Sequence, residues 1–332
     1  MWSDGLSRAT AEHAYQHRSH PNAFIFTHKL WPMRTDASLL DLPGIESTMR
    51  TVNGVDLHVV AAGDPEDSLV ILLHGFPDFW YGWREQIEPL VAAGYRVVVP
   101  DQRGYNLSDS PRSTDAYRVD ELTADIRALI ESEDRESAHV VGHDWGAVIA
   151  WQLGITHPEF VDRLGIINVP HPAAFREALR SSAEQLRRSW YVFFFQLPVL
   201  PEWALARDEY RLLSDALLES GSAVAFTPVD IERYRASWRT AGSLSGLISW
   251  YRAAGLHPTD LLSGSTSDGE QVEAPTLIVW GERDTALVPD LAPMSRQYCP
   301  NGRVERFPEA THWVHQEESE AVTELLVGHL EK

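Results

Sequence analysis

Short apolar runs alternate with helix-periodic segments along most of the chain, and this alternation predicts a parallel sheet covered by helices. The run 69–73 is wholly apolar, and the runs 138–141 and 276–280 are nearly so, as expected of strands buried on both faces. Between such runs, apolar residues recur at helical spacing, as in Val119, Leu122, Ile126 and Leu129. Strands that alternate with helices indicate an α/β fold with right-handed crossovers.

The same pattern predicts the organisation of the whole chain. An Asn53-Gly54 turn joins two strands in an opening hairpin over 47–61, and an amphipathic helix over 321–330 closes the chain. From about 170 to 262 the sequence is rich in aromatic residues and has no strand signal, which predicts an inserted helical cap. The remaining strands are predicted at 69–73, 96–100, 138–141, 164–169, 276–280 and 304–307. We therefore predict an N-terminal extension (1–44), a first core part (45–169), a helical cap or lid (170–270) and a second core part (271–332).

A sharp turn is predicted between the strand at 138–141 and the helix after it. The turn reads Gly-His-Asp-Trp-Gly, with Gly142 and Gly146 where a larger side chain would collide as the helix packs back on the strand. Asp144 is thereby held on a strained turn with its side chain exposed. A carboxylate in this position can attack an electrophilic sp3 carbon and form an ester that water must then cleave. Suitable carbons are those of an epoxide or those that bear a halide.

A histidine and a second acid are expected to complete this site, each after a different strand. His312 follows the last strand and is the predicted base, and Asp284 follows the strand before it and is predicted to orient His312. His315 is expected to face solvent, and His143 is expected to point away from the turn. Glu282 and Asp290 are less suitable than Asp284 as the acid that orients His312. Asn168, at another strand end, carries no charge and cannot be that acid.

Backbone N–H groups beside Asp144 are predicted to form an oxyanion hole. The loop after the strand at 69–73 begins His74-Gly75-Phe76, and it can turn the Phe76 N–H toward the turn that holds Asp144. The N–H of Trp145 would be the second donor. His74 is expected to be a structural residue that ties this loop to the backbone.

Composition narrows the class of protein and its partners. The formal net charge is −20, and the only lysines are Lys29 and Lys332, which argues against nucleic acid and anionic membrane as partners. The single cysteine, Cys299, excludes an intrachain disulfide, and there is no glycine-rich phosphate motif. No signal or membrane pattern is present, so a cytoplasmic location is expected. The acidic excess suits a salt-rich cytoplasm, which stays a hypothesis. A homodimer is compatible with the sequence.

Four motifs carry a resemblance to a known family. They are His-Gly-Phe-Pro-Asp-Phe-Trp-Tyr-Gly-Trp at 74–83, Asp-Gln-Arg-Gly-Tyr at 101–105, the turn at 142–146, and His312-Trp313. From about 48 to 330 the chain resembles the epoxide hydrolases of the α/β-hydrolase superfamily, in the branch with an aspartate nucleophile. The resemblance implies the α/β-hydrolase fold: a mostly parallel sheet flanked by helices, with an inserted helical cap. It also implies a small-molecule epoxide and water as substrates, and neither a cofactor nor a metal.

The resemblance further implies two tyrosines in the cap that donate hydrogen bonds to the epoxide oxygen. Ser249-Trp250-Tyr251-Arg252 resembles the context of one, and the aromatic run 190–198 resembles that of the other, so the pair is Tyr191 and Tyr251. The alternative is that these tyrosines only pack against other cap residues. This interpretation has more support for Tyr191, whose neighbours in the sequence are mostly aromatic. The aromatic residues expected to contact the substrate are Trp80, Trp190, Phe195 and Trp313.

Two other functions remain open. Haloalkane and haloacetate dehalogenases share the core motifs, and Trp145 could give an indole N–H to a halide, with Trp190 nearby. Two residues argue against a dehalogenase. The Phe76 side chain cannot donate a hydrogen bond to a halide at a position where some dehalogenases have asparagine. Val192 stands where haloacetate dehalogenases have a hydrogen-bond donor. The second alternative is a binding or receptor role on the same scaffold, which a broken triad normally accompanies.

Overall fold

The computed structural model describes residues 35–222, 224–240, 242–254 and 271–331, all of which belong to the compact unit Met33–Lys332. Most of the predicted N-terminal extension (residues 1–34) and the end of the predicted cap (residues 255–270) lie outside these residues. Within the described ranges, no helix is long and apolar enough to cross a membrane.

Eight strands form one mostly parallel sheet. The strand order is β1-β2-β4-β3-β5-β6-β7-β8, in which β2 pairs antiparallel with β1 and β4 and the other pairs are parallel. The strands are β1 (Glu46–Val52), β2 (Val55–Ala62), β3 (Ser68–Leu73), β4 (Tyr95–Pro100), β5 (Ala138–His143), β6 (Val161–Ile167), β7 (Thr276–Gly281) and β8 (Gly302–Phe307). All eight predicted strands are therefore confirmed, and so is the α/β fold class.

Helices cover the sheet and occupy much of the described part of the interval between β6 and β7. Before that interval, the described residues contain α1 (Arg84–Ala92), α2 (Val119–Ser132) and α3 (Trp145–Thr156). The interval contains α4 (Pro172–Ser181), α5 (Ala183–Arg188), α6 (Trp190–Phe195), α7 (Leu200–Ser220), α8 (Pro228–Trp238) and α9 (Ser243–Ala253). The chain ends with α10 (Leu291–Arg296), α11 (Val314–Glu317) and α12 (Ser319–Leu330). We refer to α4–α9 as the inserted helices.

Burial explains why the central strands could be recognised from their sequence. Val70 to Leu73 of β3 and Val140 and Val141 of β5 have no exposed surface, because helices cover both faces of the sheet. The helix α2 buries Leu122, Ile126 and Leu129 on one face, as its periodicity predicts. Parallel strands point the same way, so the loops after β3, β5, β6, β7 and β8 meet at one edge of the sheet. The candidate functional residues lie on these loops.

Candidate active site

The turn between β5 and α3 holds Asp144 in a left-handed conformation, with φ 50° and ψ −127°. Such a conformation costs a residue with a side chain about 1–3 kcal/mol and is stable only where the surroundings fix it. Gly146 is one reason it is fixed here, since a Cβ atom on this residue would lie 2.1 Å from the Leu73 carbonyl oxygen. The prediction that the turn requires a glycine at 146 is confirmed.

The loop after β3 packs directly against the Asp144 carboxylate. The Phe76 backbone N–H donates to Asp144 Oδ1 over 2.6 Å. A Cβ atom on Gly75 would lie 2.3 Å from the same oxygen and 2.5 Å from the Trp145 nitrogen, so only glycine lets the loop approach this closely. The side chain of Asp144 keeps 21% of its surface exposed. Its carboxylate is therefore held by a backbone donor and still open on one side.

His312 lies between two carboxylates. Its Nδ1 is 2.7 Å from Asp284 Oδ2, and its Nε2 is 3.5 Å from Asp144 Oδ2. Burial alone would lower the pKa of His312, but Asp284 and then Asp144 outweigh burial and raise the pKa to about 10. Burial would raise the pKa of Asp144, yet the hydrogen bond and charge of His312 leave that pKa below its ordinary value. The structure thus brings together the three residues that the sequence predicts as a triad.

Asn168 is a partner of this triad that sequence reasoning missed. Its Nδ2 donates to Asp284 Oδ2 over 2.9 Å, and its Oδ1 accepts from the Gly281 N–H over 2.7 Å. Asn168 was excluded as the acid that orients His312, because an amide carries no negative charge. Asn168 follows β6, which pairs with β7. This position could have indicated a contact with Asp284, which lies in the loop after β7. Asn168 therefore ties the two strand ends together and holds the acid.

The two predicted tyrosines face each other beside the strained turn. The rings of Tyr191 on α6 and Tyr251 on α9 have centroids 5.9 Å apart, and the Tyr251 ring is 5.0 Å from that of Trp145. Burial raises the pKa of Tyr251 well above its ordinary value, and the charge of Asp144 raises it further. Burial and then Asp144 act on the pKa of Tyr191 in the same direction. Both phenols are neutral at ordinary pH and able to donate a hydrogen bond.

The four aromatic residues predicted to contact the substrate lie in different surroundings. The ring of Phe195 is 4.7 Å from that of Tyr251 and 5.3 Å from that of Phe76, which places Phe195 among the site residues. Trp313 is 2% exposed, and its indole N–H donates to the Ser220 hydroxyl. The other two lie in opposite settings: Trp80 is fully buried, with its indole N–H bound to the Thr35 carbonyl oxygen, and Trp190 is 64% exposed.

The structure corrects one prediction about the histidines and confirms two. The prediction that His315 faces solvent is wrong: its side chain is completely buried and packs 4.3 Å, centroid to centroid, from the ring of His143. His143 does point away from Asp144, since its Nε2 contacts the His312 carbonyl oxygen over 2.9 Å. His74 ties its loop to the backbone, with Nε2 accepting from the Gln102 N–H. Burial lowers the pKa of His74 to about 4, so it is neutral.

A buried polar group lies behind the triad and was not predicted. Possible ligand atoms of Asp78, His143 and His315 all lie within 4.8 Å of one another. Burial is the main cause that raises the pKa of Asp78 to about 7 and lowers those of both histidines. Arg84 and His312 add positive charge that acts on His315, which disfavours a cation between these side chains. We therefore assign no metal to this group.

Comparisons with known proteins agree with this fold and geometry. The family model described as alpha/beta hydrolase fold matches residues 68–319. The chain is 41% identical to the AB hydrolase superfamily protein YfhM of Bacillus subtilis, over 87% of this chain and 99% of that protein. It is 37% identical to epoxide hydrolase 1 of Caenorhabditis elegans, over 88% and 72% of the two chains. A crystal structure of Bacillus megaterium epoxide hydrolase with an inhibitor superposes with a TM-score of 0.80 and 33% identity, over 86% of this chain and all of that one.

The fold and the site define a hydrolase of the α/β class, and the chain belongs to the α/β-hydrolase fold family. Within that superfamily it groups with the epoxide hydrolases, as the resemblance of its motifs implies. It is an enzyme of the hydrolase class.

Proposed function

We propose that this enzyme opens an epoxide to a vicinal diol through an ester formed on Asp144. The observation that carries this proposal is the position of two neutral phenols, Tyr191 and Tyr251, beside a carboxylate that is paired with His312. The leaving oxygen of an epoxide stays attached to carbon and is a poor leaving group unless a donor stabilises its charge. Two phenols beside the nucleophile meet this need.

In the first step, an Asp144 carboxylate oxygen attacks one epoxide carbon from the side opposite the ring oxygen. The new C–O bond forms the ester as the ring C–O bond breaks, and the released oxygen takes a proton from a tyrosine. The lowered pKa of Asp144 keeps the carboxylate ionised for the attack. The inserted helices act as a cap in this proposal, because α6 and α9 supply the two tyrosines.

In the second step, His312 activates water against the ester carbonyl carbon. Ester formation removes the negative charge of Asp144, which is one of the causes of the raised pKa of His312. The pKa of His312 therefore falls, and its proton passes to the tyrosinate left by ring opening, so that a neutral imidazole is available as a base. Asp284 stabilises the imidazolium that forms when water is deprotonated. The acyl C–O bond then breaks and the diol leaves with a proton from His312. The carboxylic acid of Asp144 gives its proton back to His312, which restores the carboxylate and the imidazolium.

The backbone donors beside Asp144 serve the second step. The Phe76 N–H already contacts a carboxylate oxygen of Asp144 and would hold the oxyanion formed when water adds to the ester, together with the N–H of Trp145. Such donors are worth most where solvent is excluded, and the triad residues here have little exposed surface.

The dehalogenase alternative finds less support in the same geometry. The indole of Trp145, which was considered as a donor to a halide, packs against the ring of Tyr251 with centroids 5.0 Å apart. Val192 is buried and offers no donor, and the other tryptophan considered for a halide, Trp190, is largely exposed. A halide needs such donors, whereas an epoxide oxygen needs the phenols that are present.

Incubation of the purified enzyme with styrene oxide and, separately, with 1-chlorobutane and chloroacetate tests the proposal. We expect the vicinal diol from styrene oxide and no release of chloride from either halide, measured by chromatography and by ion analysis. Asp144→Ala is the control for turnover at this site and should form no diol above the uncatalysed rate. Chloride release without diol formation would replace the proposal with a dehalogenase, and turnover of neither class would favour a binding role.

Asn168→Gly is expected to lower turnover about tenfold or more, since hydrogen bonds to a charged group contribute about 1.5–3 kcal/mol. Glycine keeps the positive φ of 48° at this position and removes only the donor to Asp284 and the bonds to Gly281. Asn106→Gly is the matched control, because Asn106 is also buried with a φ of 42° but donates to Asp101.

The readout of this comparison is the pH profile of diol formation. Asp284 stays ionised, since its pKa is below its ordinary value, and without the Asn168 donor more of its charge acts on His312. The pKa of His312 should therefore rise in Asn168→Gly and stay unchanged in Asn106→Gly. Equal losses in the two variants, with unchanged profiles, would mean that Asn168 only stabilises the fold.

A further inference from the structure

A surface cleft of about 440 Å³ lies on the outer side of the acid loop, between the end of α5 and the residues that follow β7. Arg187, Arg188 and Trp190 line it from the inserted helices, and Glu282, Arg283 and Asp284 line it from the core. Three guanidinium groups around one cleft are unusual on a chain with a formal net charge of −20. The catalytic proposal uses none of these arginines.

The carboxylates of this cleft each have a cationic partner elsewhere. Glu282 pairs with Arg306 over 2.6 Å, and Asp284 pairs with His312 over 2.7 Å. Their negative charge is therefore largely balanced within the protein. An anion that enters the cleft meets less repulsion than the overall charge of the chain suggests.

The three arginines differ in how many hydrogen bonds and ion pairs their guanidinium groups make within the protein. Arg188 donates to the Asp284 carbonyl oxygen over 2.6 Å and pairs with Glu184, so it holds the acid loop. Arg283 pairs with Glu309 where both side chains are more than 60% exposed, and such surface pairs contribute little. The Arg187 side chain makes no ion pair or hydrogen bond with any residue that the structure describes. Arg187 and Arg283 can therefore bind an external anion from opposite walls.

Trp190 adds an apolar surface to the same cleft. Its side chain is 64% exposed although it is among the largest apolar groups of the chain. An indole of this kind binds the flat or aliphatic body of a ligand by stacking and by excluding water. Charged donors beside an exposed indole are suited to an amphiphilic anion rather than to an inorganic one.

We propose that this cleft binds the carboxylate of a small organic anion, with Arg187 and Arg283 on the carboxylate and Trp190 against its apolar body. The site goes beyond the proposed function, because Arg187, Arg283 and Trp190 take no part in the steps at Asp144. The carboxylate could belong to a separate anion or to a substituent of the substrate, and both present the same chemistry to the arginines.

The test is calorimetric binding of naphthalene-2-carboxylate and of its uncharged amide, without any epoxide present. We expect the carboxylate to bind the wild type about tenfold more tightly than the amide, because charge-assisted hydrogen bonds are roughly twice as strong as neutral ones. In Arg187→Gln/Arg283→Gln that preference should disappear, and Trp190→Leu should weaken both ligands. Arg211→Gln is the matched control, since Arg211 is an exposed arginine of the inserted helices that pairs with Asp215.

Equal affinity for carboxylate and amide in the wild type, or an unchanged preference in the double variant, would overturn the site. Because binding is measured directly, a failure of the epoxide hydrolase proposal leaves this result intact, and the reverse also holds. Kinetics then distinguish the two sources of the anion. A rise in KM in the double variant for a carboxylate-bearing epoxide, but not for its amide, assigns the site to the substrate. An effect of naphthalene-2-carboxylate on styrene oxide turnover that the double variant loses assigns it to a separate anion.

Discussion

His312→Gln is expected to stop turnover of an epoxide while an ester accumulates on Asp144. The attack on the epoxide needs the Asp144 carboxylate and the tyrosine donors but not His312, and the Phe76 N–H still holds the carboxylate in the variant. Hydrolysis of the ester needs a base, and in the native enzyme His312 Nε2 lies 3.5 Å from Asp144 Oδ2, where it can take a proton from water. General base catalysis contributes about 10²–10⁴-fold, so the second step should slow by that factor and become limiting.

Intact-protein mass spectrometry measures this outcome and reports the chemistry at the same time. An epoxide opens without losing an atom, so the protein should gain the whole mass of the substrate. A haloalkane expels halide, so the gain would be the mass of the substrate less HX. His157→Gln is the control, because His157 is a partly exposed histidine at the end of α3 and should accumulate no adduct. No adduct in a folded His312→Gln, with an active wild type, would show that His312 or Asp144 is wrongly assigned.

Tyr191→Phe and Tyr251→Phe should each slow ring opening, and the double variant should be nearly inactive. Phenylalanine keeps the ring that packs against Trp145 and Phe195, and it removes only the hydroxyl donor. The loss of one donor to a developing oxyanion costs about 3–4 kcal/mol in comparable sites, and the remaining tyrosine offsets part of that loss in each single variant. The double variant has no such substitute.

Single-turnover kinetics with styrene oxide measure this effect on the first step alone. Tyr210→Phe is the matched control, since Tyr210 lies on the inserted helix α7 and packs against Trp238 instead of the site. The double variant should form no ester even when combined with His312→Gln, because ring opening precedes ester hydrolysis. Epoxide turnover close to that of the wild type in the double variant would contradict the assignment of both tyrosines.

Local sequence was enough to predict the core of this fold and its central turn. The strands β3 and β5 are buried on both faces, so apolar residues are required at almost every position and the pattern is visible without any neighbour. The turn at Asp144 depends on glycines within a few residues of it, because a Cβ atom on Gly142 would lie 2.5 Å from the Gly146 carbonyl oxygen. Identities fixed by backbone geometry at short range can be read from the sequence.

Contacts between distant parts of the chain could not be predicted in this way. Motif order gave the expectation that Asp284 orients His312, but only the paired ends of β6 and β7 show that Asn168 also binds this acid. His315 is three residues from His312 and was expected to face solvent, yet its side chain is buried beside His143 of another strand.

The aromatic residues of α6 show what the sequence could not predict, which is the direction in which each side chain points. The resemblance of α6 to a tyrosine-bearing cap segment gave Tyr191, and Trp190 and Phe195 were predicted to contact the substrate. Packing against α9 turns Tyr191 and Phe195 toward Tyr251 and leaves Trp190 exposed at a cleft with three arginines. Sequence patterns were sufficient for the fold class and the turn, because these depend on residues close together in the chain. The tertiary structure decided which side chains share a surface, because the direction of a side chain on a helix has meaning only relative to the element packed against it.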